Sequence, residues 1–331
     1  MKVAIINTTR KKYGGSIYES MISEALSSNF NVEFISTGVK SNGLLRYFEA
    51  PLVFWRLYKT KNLKNFDVAI KNFEASIFLS KKPTKNISLI HHIDSSSRSF
   101  LMKLIYDLIE KRVLKNIKNF DRVVVVSQYW KEYLNKKGID RISIIYPPSD
   151  LNDFKFTDEE LEEFKQRYNL IGKPIIYIGN CRKDKGVVES YNSLKNLEVY
   201  LVTSGDRQVK IPAINLSLKY KDYLKLLKVS SVAVCMSKFK EGWNKTVQEA
   251  MLCKTPVVGS GLGGMKELLE GGKQIICNDF GLLQDRVKYL LDNPDIRKQM
   301  GEDGYNFAKQ FTIERFRNDW LELVKEVAYS K

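Results

Sequence analysis

The sequence predicts an α/β protein made of two doubly wound halves. Its length of 331 residues fits two domains of roughly 150 residues each. Short β-branched runs alternate with helical patterns along the whole chain, and the alternation restarts after Pro147-Pro148. The hydrophobic fraction of 44% is sufficient for two buried cores. We therefore expect a parallel sheet between helices in each half.

The first half alternates strands with helices. Several of its predicted strands are continuous apolar runs, which are typical of parallel strands covered on both faces. These strands are Val3–Asn7, Val32–Thr37, Asp67–Lys71, Ile87–His91, Arg122–Ser127 and Ile142–Tyr146. Helical patterns separate them at Ser16–Ser28, Ser96–Ile117 and Tyr129–Lys137. This order implies right-handed βαβ units.

The second half repeats the pattern after an acidic helix that Thr157 opens. Its predicted strands are Ile175–Gly179, Val199–Thr203, Val232–Met236, Pro256–Gly259 and Gln274–Cys277. The last periodic segment, Ile313–Ala328, has no strand after it. We therefore predict a first domain over residues 1–148 and a second over 149–311. A terminal helix over 312–331 is expected to pack back on the first domain.

The net charge of +16 lies mostly in the first half, where residues 1–150 hold 25 Lys and Arg against 13 Asp and Glu. Such an excess suits nucleic acid, an anionic membrane surface or a phosphorylated substrate, and solvated surface lysines are the alternative. No nucleic-acid-binding motif accompanies the charge, so we expect no nucleic-acid partner.

The sequence shows neither a recognisable targeting segment nor a disulfide pattern, and both observations favour the cytoplasm. The apolar run Val3–Ile6 is too short for a signal-peptide core, and no window approaches the roughly 18 apolar residues that span a bilayer. We expect a cytoplasmic protein, with peripheral contact to the inner membrane face as an option. The widely spaced cysteines indicate reduced core residues rather than a zinc site; they are Cys181, Cys235, Cys253 and Cys277.

The most informative stretch is residues 236–269, MSKFKEGWNKTVQEAMLCKTPVVGSGLGGMKELL. After a strand and a loop, a helix begins near Asn244, which is a suitable N-cap. Backbone N–H groups at Thr246 and Val247 make this helix start an anion site suited to a diphosphate. Glu249 lies one to two turns inside the helix, where its carboxylate can accept both hydroxyls of a ribose.

This stretch resembles the signature of retaining GT-B glycosyltransferases, particularly those of family four. The signature consists of two glutamates separated by seven residues, here Glu241 and Glu249. The flanks are also similar: EGWNKTVQEAM resembles EGFG…EAM, TPVV resembles G-x-P-V-V, and Gly263-Gly264 with Glu267 resembles GG-x-x-E. The alternative is a surface helix with two solvated carboxylates, but such a helix has no need of the preceding Gly-Trp loop.

The resemblance implies a GT-B fold, in which two Rossmann-like domains face each other across a cleft. The second domain would hold the nucleotide-sugar donor and the first the acceptor. Glu241 would contact hydroxyls of the donor sugar, and Glu249 the ribose. Further donor-binding positions would be Gly242, Trp243, Asn244, Lys245, Thr246 and Val247.

The implied activity is transfer of a hexosyl unit with retention of the anomeric configuration. The co-substrate would be a UDP- or GDP-linked sugar, no other cofactor is expected, and the acceptor would be a glycan, a lipid-linked molecule or a small molecule. The chain contains no Asp-x-Asp motif, which is consistent with a metal-independent reaction.

A second motif occupies residues 175–187, IIYIGNCRKDKGV. Lys185 can neutralise charge that develops on a departing diphosphate. The family has a Gly-Arg pair followed by Lys-Gly; Gly179 and Lys185 are in register with it, but Asn180 stands where the arginine usually is. Our hypothesis is that Arg182 supplies the missing guanidinium. The alternative is a solvated turn.

Two features of the first half are similar to the family's donor-facing loops. Gly14 and Gly15 follow the first strand and open a helix, so backbone N–H groups can approach a phosphate or sugar, although an ordinary turn has the same pattern. His91 and His92 end a strand, and their side chains point to opposite faces. We favour His91 as a contact to the transferred sugar rather than a general base, with Asp94 orienting it or contacting acceptor. A structural histidine is the alternative.

Residues 44–66 combine aromatic and basic side chains. The aromatic ones are Tyr47, Phe48, Phe54, Trp55 and Tyr58, and the basic ones are Arg46, Arg56, Lys59, Lys61 and Lys64. This mixture suits a membrane interface or a lipid-linked acceptor. The alternative is a helix with core aromatics and solvated lysines, and Pro51 is expected to interrupt any single long helix.

Three rival functions are compatible with the same residues. A GT-B-like nucleotide-sugar epimerase or a sugar phosphorylase is the nearest. A member that only binds nucleotide is the second, because Asn180 replaces the usual arginine. A basic nucleic-acid-binding protein is the third, argued from charge alone.

Overall fold

The computed structural model describes residues 1–8, 14–38, 49–93 and 100–330. The chain divides into two compact units, of which the first contains Met1–Pro147 with Ile313–Lys331 and the second contains Pro148–Thr312. The chain therefore passes between the units twice. The first passage lies next to the domain boundary predicted at residue 148.

The first unit is built on a six-stranded parallel sheet. In chain order it contains β1 (Lys2–Asn7), α1 (Gly14–Ser27), β2 (Asn31–Ser36), α2 (Ala50–Lys59), β3 (Val68–Asn72), β4 (Lys85–Ile90), α3 (Phe100–Ile117), β5 (Arg122–Val125), α4 (Gln128–Asn135) and β6 (Ile142–Ile144). The strand order is β2-β1-β3-β4-β5-β6. A 3-10 turn at Glu74–Ile77 follows β3.

The inner strands β1, β3, β4 and β5 of the first sheet are buried, whereas the edge strand β2 is largely exposed. Four consecutive residues of β1, Val3–Ile6, are buried, as expected for a central parallel strand. All six predicted strands are present. The strand predicted over Arg122–Ser127 ends at Val125, because Ser127 occupies the N-cap position of α4.

The second unit contains a second six-stranded parallel sheet. Its elements are α5 (Asp158–Arg167), β7 (Ile175–Asn180), α6 (Val187–Leu194), β8 (Tyr200–Ser204), β9 (Ile214–Leu216), α7 (Tyr220–Val229), β10 (Val232–Cys235), α8 (Lys245–Leu252), β11 (Val257–Gly259), α9 (Met265–Gly271), β12 (Ile275–Ile276), α10 (Leu283–Asp292) and α11 (Pro294–Ala308). The strand order is β12-β11-β10-β7-β8-β9. The sequence pattern missed β9, because three residues are too few to establish a period.

Local signals explain the helix that opens the second unit. Thr157 Oγ1 accepts a hydrogen bond from Glu160 N at 3.2 Å, and Glu160 Oε2 accepts one from Thr157 N at 3.0 Å. This reciprocal pair is a capping box, which satisfies two N–H groups at the helix start. The predicted start of the acidic helix at Thr157 is confirmed.

The terminal helix α12 (Ile313–Tyr329) returns the chain to the first unit, where it packs against α1. Tyr18 of α1 contacts Phe316 and Trp320 edge-on, with ring centroids 5.1 and 6.5 Å away. Its hydroxyl donates to Ile145 O at 2.8 Å. These buried contacts fix α12 against the sheet.

The four cysteines are free and buried, as expected. Within the described ranges, no helix combines the length and the apolar character needed to cross a membrane.

Candidate functional site

The two sequence motifs of the second half lie at one edge of the second sheet. β7 and β10 are neighbours, so the loops that follow them meet where the carboxyl ends of the strands lie. Lys238 N donates to Asp184 O at 2.9 Å and joins the two loops. A small pocket at this edge is lined by Gly179, Asn180, Lys185, Cys235, Ser237, Asn244 and Thr246.

Two glycines allow the backbone of these loops to approach closely. A Cβ at Gly186, whose φ is +69°, would lie 2.2 Å from Met236 O. A Cβ at Gly263, also at φ +69°, would lie 2.4 Å from Glu241 O. Neither position accommodates a side chain without movement of the backbone. Gly186, in the left-handed conformation, ends the 3-10 turn that contains Lys185, and α6 begins at Val187.

Lys185 and Glu241 form an ion pair in the pocket. Lys185 Nζ donates to Glu241 Oε1 at 2.6 Å. The same oxygen accepts from Ser237 Oγ at 2.5 Å and from Asn244 Nδ2 at 3.3 Å. Glu241 is 7% exposed. The sequence assigned Lys185 to the diphosphate and Glu241 to the donor sugar, and the structure brings the two side chains into contact with each other.

Asn244 caps α8 as predicted. Its Oδ1 accepts from Val247 N at 3.1 Å. The N–H of Val247 is therefore already bonded, and the prediction that it is free for a diphosphate is wrong. Thr246 lines the pocket, and its Oγ1 accepts from the hydroxyl of Tyr223 at 3.3 Å.

The side chains of Trp243 and Lys245 do not line the pocket. They pack near Pro148 and Phe311, where the chain enters and leaves the second unit, and their assignment to the donor stays a prediction. Lys245 Nζ donates to Pro148 O and to Ser149 Oγ, both at 2.5 Å, and burial lowers its pKa to about 8. The Trp243 ring is buried edge-on against Phe311, with centroids 5.0 Å apart. The Trp243 ring and the aliphatic part of Lys245 pack where the start of α8 meets residues near the beginning and the end of the second unit. Both residues therefore position the helix.

Glu249 is 5% exposed and faces α7 from the inner side of α8. Its Oε1 accepts from the hydroxyl of Tyr220 at 3.1 Å. Burial raises the pKa of Glu249, while the charge of Lys245 and the hydroxyls of Tyr220 and Tyr223 lower it in part. The two tyrosines were not predicted from the sequence, although their spacing of three residues places them on one face of α7.

Arg182 lies apart from the pocket lining. Its Nε and Nη2 donate to the two oxygens of Asp184 at 3.0 and 2.6 Å. The guanidinium is therefore bonded within its own turn, and the hypothesis that it replaces the family arginine stays a prediction. Asn180 does line the pocket, and its Oδ1 accepts from Ser204 Oγ at 2.8 Å and from Tyr177 Oη at 3.3 Å.

His91 belongs to the first unit and follows β4. Its ring meets Tyr18 edge-on at 4.9 Å, and its Nε2 is buried without a hydrogen-bond partner among the described residues. Burial, with a smaller contribution from His92, lowers the pKa of His91 to about 3, so the imidazole is neutral. His92 is exposed.

The remaining predicted contacts of the first unit are only partly described. Gly14 and Gly15 are the first two residues of α1. Asp94 and the loop residues 9–13 lie outside the described residues.

The helix α2 carries an exposed aromatic face. Phe54, Trp55 and Tyr58 are each about half exposed, and Val53 and Leu57 pack in the core on the other side. This arrangement differs from the alternative of core aromatics. Pro51 lies in the first turn of the helix rather than interrupting it.

Two lysines cover the rings of this face. Lys59 Nζ lies 3.5 Å from the ring centroid of Trp55, and Lys61 Nζ lies 4.7 Å from that of Tyr58. Arg56 instead donates to Gly38 O at 3.0 Å. The predicted members Arg46, Tyr47 and Phe48 lie outside the described residues.

Comparison with known proteins gives one family match for each unit. The model described as Glycosyltransferase Family 4 matches residues 23–153, and the model described as Glycosyl transferases group 1 matches residues 158–307. An uncharacterized glycosyltransferase of Methanocaldococcus jannaschii is 24% identical over 212 residues, which cover 60% of this chain and 57% of that protein.

Another relative and a solved structure extend the likeness over more of the chain. The Campylobacter jejuni α-1,4-N-acetyl-D-galactosaminyltransferase that acts on an undecaprenol-linked glycan is 21% identical over 290 residues, covering 78% of this chain and 77% of that protein. The crystal structure of Anabaena HepE in complex with UDP superposes with a TM-score of 0.78 at 16% identity, covering 98% of this chain and all of that one. At this identity the superposition shows a shared fold.

Proposed function

Because the chain belongs to the GT-B glycosyltransferases of the group 1 and family 4 type, we propose that it transfers a hexosyl unit from a UDP- or GDP-linked sugar with retention and without a metal ion. The observation that carries the proposal is the arrangement around the start of α8. Lys185 and Glu241 lie on one side of that helix start, and Glu249 lies one turn inside it.

In the proposed reaction, the bond between the anomeric carbon and the diphosphate oxygen breaks, and the electron pair leaves with the diphosphate. Lys185 exchanges Glu241 for the diphosphate and neutralises its growing charge. Glu241 then accepts hydroxyls of the transferred sugar, and Glu249 accepts those of the ribose. The acceptor oxygen attacks the same face of the sugar, and its proton passes to the departing diphosphate.

The direct test combines binding with product analysis. We expect UDP or GDP to raise the thermal midpoint of the protein, because a ligand that binds only the folded state stabilises it. Free nucleoside diphosphate should be released from UDP-glucose or GDP-mannose only when an acceptor is present, and EDTA should leave the rate unchanged. The anomeric proton coupling in the NMR spectrum of the product should match that of the donor. Release without acceptor, or interconversion of the donor sugar, would favour the epimerase alternative.

We further propose that the aromatic face of α2 rests on an anionic membrane surface, which would bring a cytoplasmic enzyme to a lipid-linked acceptor. Exposed aromatic rings with lysines above them suit the interface between lipid headgroups and acyl chains. The relative from C. jejuni, whose named substrate is carried by undecaprenol, makes such an acceptor a reasonable first choice.

The membrane proposal is tested with a matched pair of triple variants. Replacing Lys59, Lys61 and Lys64 by Ser should lower co-sedimentation with phosphatidylglycerol vesicles by at least an order of magnitude, since each lysine near an anionic surface contributes about 1 kcal/mol. The control replaces three exposed lysines of the second unit, Lys266, Lys273 and Lys288, and makes the same change in net charge. Equal loss in both variants would contradict a specific surface.

A further inference from the structure

A polar cluster lies at the carboxyl edge of the first sheet. β1 and β3 pair in parallel, with Ile6 opposite Lys71, so Thr8, which follows β1, and Asn72, which ends β3, lie at the same edge. Glu74 begins the 3-10 turn after β3, and Glu19 reaches this edge from the second turn of α1. These four residues, Thr8, Glu19, Asn72 and Glu74, are called the edge cluster below.

Hydrogen bonds connect three members of the edge cluster, Thr8, Asn72 and Glu74. Asn72 Nδ2 donates to Thr8 Oγ1 at 2.8 Å, and that hydroxyl donates to Glu74 Oε2 at 3.4 Å. The Asn72 side chain also lies beside the carboxyl of Glu19 and offsets part of the rise in its pKa. Its own carbonyl oxygen accepts from Ala75 N at 3.0 Å, which fixes the side chain in place. The cluster is therefore a built arrangement and not a set of independent surface groups.

One oxygen of the edge cluster lacks a partner. Glu19 is 3% exposed, and its Oε2 is buried without a hydrogen bond to any described residue. Leaving a buried polar atom unbonded costs about 1–3 kcal/mol, so such atoms in native proteins commonly have a functional reason. Thr8 and Glu74 are only partly buried, so the rim of the cluster reaches solvent. A ligand that enters at the rim can supply the missing bond.

The chemistry of the edge cluster fits a neutral hydroxyl compound. Burial first, and the neighbouring Glu74 second, raise the pKa of Glu19 to about 8, so at neutral pH its carboxyl carries a proton and can donate. Glu74 offers acceptors, and Asn72, held by its bonds to Thr8 and Ala75, positions the cluster. Hydroxyl groups also donate and accept at once. An anionic ligand would be repelled by Glu74, and a cationic ligand would not use the donors.

We infer that the edge cluster binds hydroxyl groups of the sugar acceptor, with the unbonded oxygen of Glu19 as its central contact. The inference rests on the proposed function, because it assigns the acceptor to the first unit. His91, whose Nε2 is also buried without a partner among the described residues, packs against Tyr18, the residue before Glu19. Parallel sheets bind ligands at this edge as a rule.

The test uses saturation-transfer NMR with methyl α-glucopyranoside, methyl α-galactopyranoside and methyl N-acetyl-α-glucosaminide as probes, in the presence of UDP. At least one glycoside should receive saturation from the wild-type protein, and the signal should fall at least fivefold in Glu19→Ala and in Asn72→Ala. Glu24→Ala is the matched control, because Glu24 is exposed on the same helix. Glu19→Gln keeps the size of the side chain and a donor, and should retain most of the signal.

The absence of any glycoside signal with the wild-type protein would overturn the inference. Equal signals in the wild-type, Glu19→Ala and Glu19→Gln proteins, with the fold confirmed by circular dichroism, would also overturn it. So would stronger binding of glucosamine, which carries an ammonium group. UDP affinity is measured calorimetrically on the same samples. Loss of glycoside binding with intact UDP affinity isolates the acceptor contact. A different result is a wild-type protein that binds glycosides through Glu19 but shows no affinity for nucleotides. That result would contradict the proposed function and would still support the sugar site.

Discussion

The pocket of the second unit and the edge cluster of the first differ in how their polar groups are satisfied. In the pocket, Lys185 bonds to Glu241, and Glu249 bonds to Tyr220. In the first unit, Glu19 Oε2 and the nearby His91 Nε2 are buried without partners among the described residues. A ligand of the pocket must exchange partners with existing bonds, whereas a ligand of the edge cluster adds bonds that are missing. Substitutions in the pocket should therefore change turnover or nucleotide affinity, and substitutions in the edge cluster should change acceptor binding alone.

The largest expected effect is that of Lys185→Ala on turnover. Removal of one group that stabilises charge in the transition state typically lowers kcat by about 10²- to 10³-fold, and Glu241 keeps Ser237 and Asn244 as donors in the variant. Steady-state rates with UDP-glucose or GDP-mannose measure the loss. The control is Lys183→Ala, which removes an exposed lysine of the same turn. An equal decrease in both variants would remove the special role of Lys185.

Glu249→Ala should weaken nucleotide binding about 10- to 100-fold, which corresponds to about 1.4–2.7 kcal/mol, the range of a hydrogen bond to a charged group. Calorimetry with UDP and 2′-deoxy-UDP makes the test specific. The wild-type protein should prefer UDP, and the variant should lose that preference. Glu270→Ala, at an exposed position of α9, is the control. Unchanged UDP affinity in Glu249→Ala would refute the ribose assignment.

The pocket also shows what the sequence can predict. The order of strands and helices follows from local periodicity. The cap of α8 follows from Asn244, which lies three residues before Val247 and accepts a hydrogen bond from its backbone N–H. The pairing of Lys185 with Glu241 was not predictable, because the two residues are 56 positions apart and meet only through the order of β7 and β10. The directions of Trp243 and Lys245 depend on packing against residues near both ends of the unit, which no local pattern encodes.

The edge cluster was missed for a different reason. Glu19 lies in a helix whose sequence, GGSIYESMISEALS, gives a carboxylate at that position no feature that distinguishes it from a solvated one. Its burial arises because α1 packs against β1, β2 and the terminal helix α12. Residue spacing along the chain cannot identify a glutamate that becomes buried only through tertiary packing. Gly14 and Gly15 could be predicted as functional because glycine permits backbone conformations that other residues avoid. Glutamate has no such local preference.

His91→Phe should lower kcat/KM about five- to tenfold, since it removes one hydrogen bond worth roughly 1–1.4 kcal/mol and keeps the ring contact with Tyr18. Because burial holds the pKa of His91 near 3, the imidazole is neutral throughout the range from about pH 5 to pH 8. The ratio of wild-type to variant rates should therefore be constant over that range. A ratio that changes with pH would indicate that His91 titrates and acts as a base. His92→Phe, at the exposed neighbour, should have little effect.

The smallest effect is expected for Tyr220→Phe. This variant is the most specific test of the hydrogen bond between Tyr220 and Glu249. Tyr220 donates to Glu249, and this bond favours the ionised carboxylate, which is the form that accepts both ribose hydroxyls. Burial raises the pKa of Glu249, and loss of the hydroxyl raises it further. At a pH above both values the carboxylate is ionised in either protein, so UDP affinity should fall only about threefold, or roughly 0.6 kcal/mol.

As the pH falls, Glu249 gains its proton first in the Tyr220→Phe variant, so the ratio of the variant Kd to the wild-type Kd should increase toward lower pH. Titration of the nucleotide phosphates is common to both proteins and cancels in this ratio. Tyr289→Phe changes a tyrosine of similar exposure elsewhere in the unit and should give a ratio near one at every pH. A ratio for Tyr220→Phe that is independent of pH would mean that the hydroxyl only fills space beside Glu249, and the pocket would then depend on Lys245 for its ionised carboxylate.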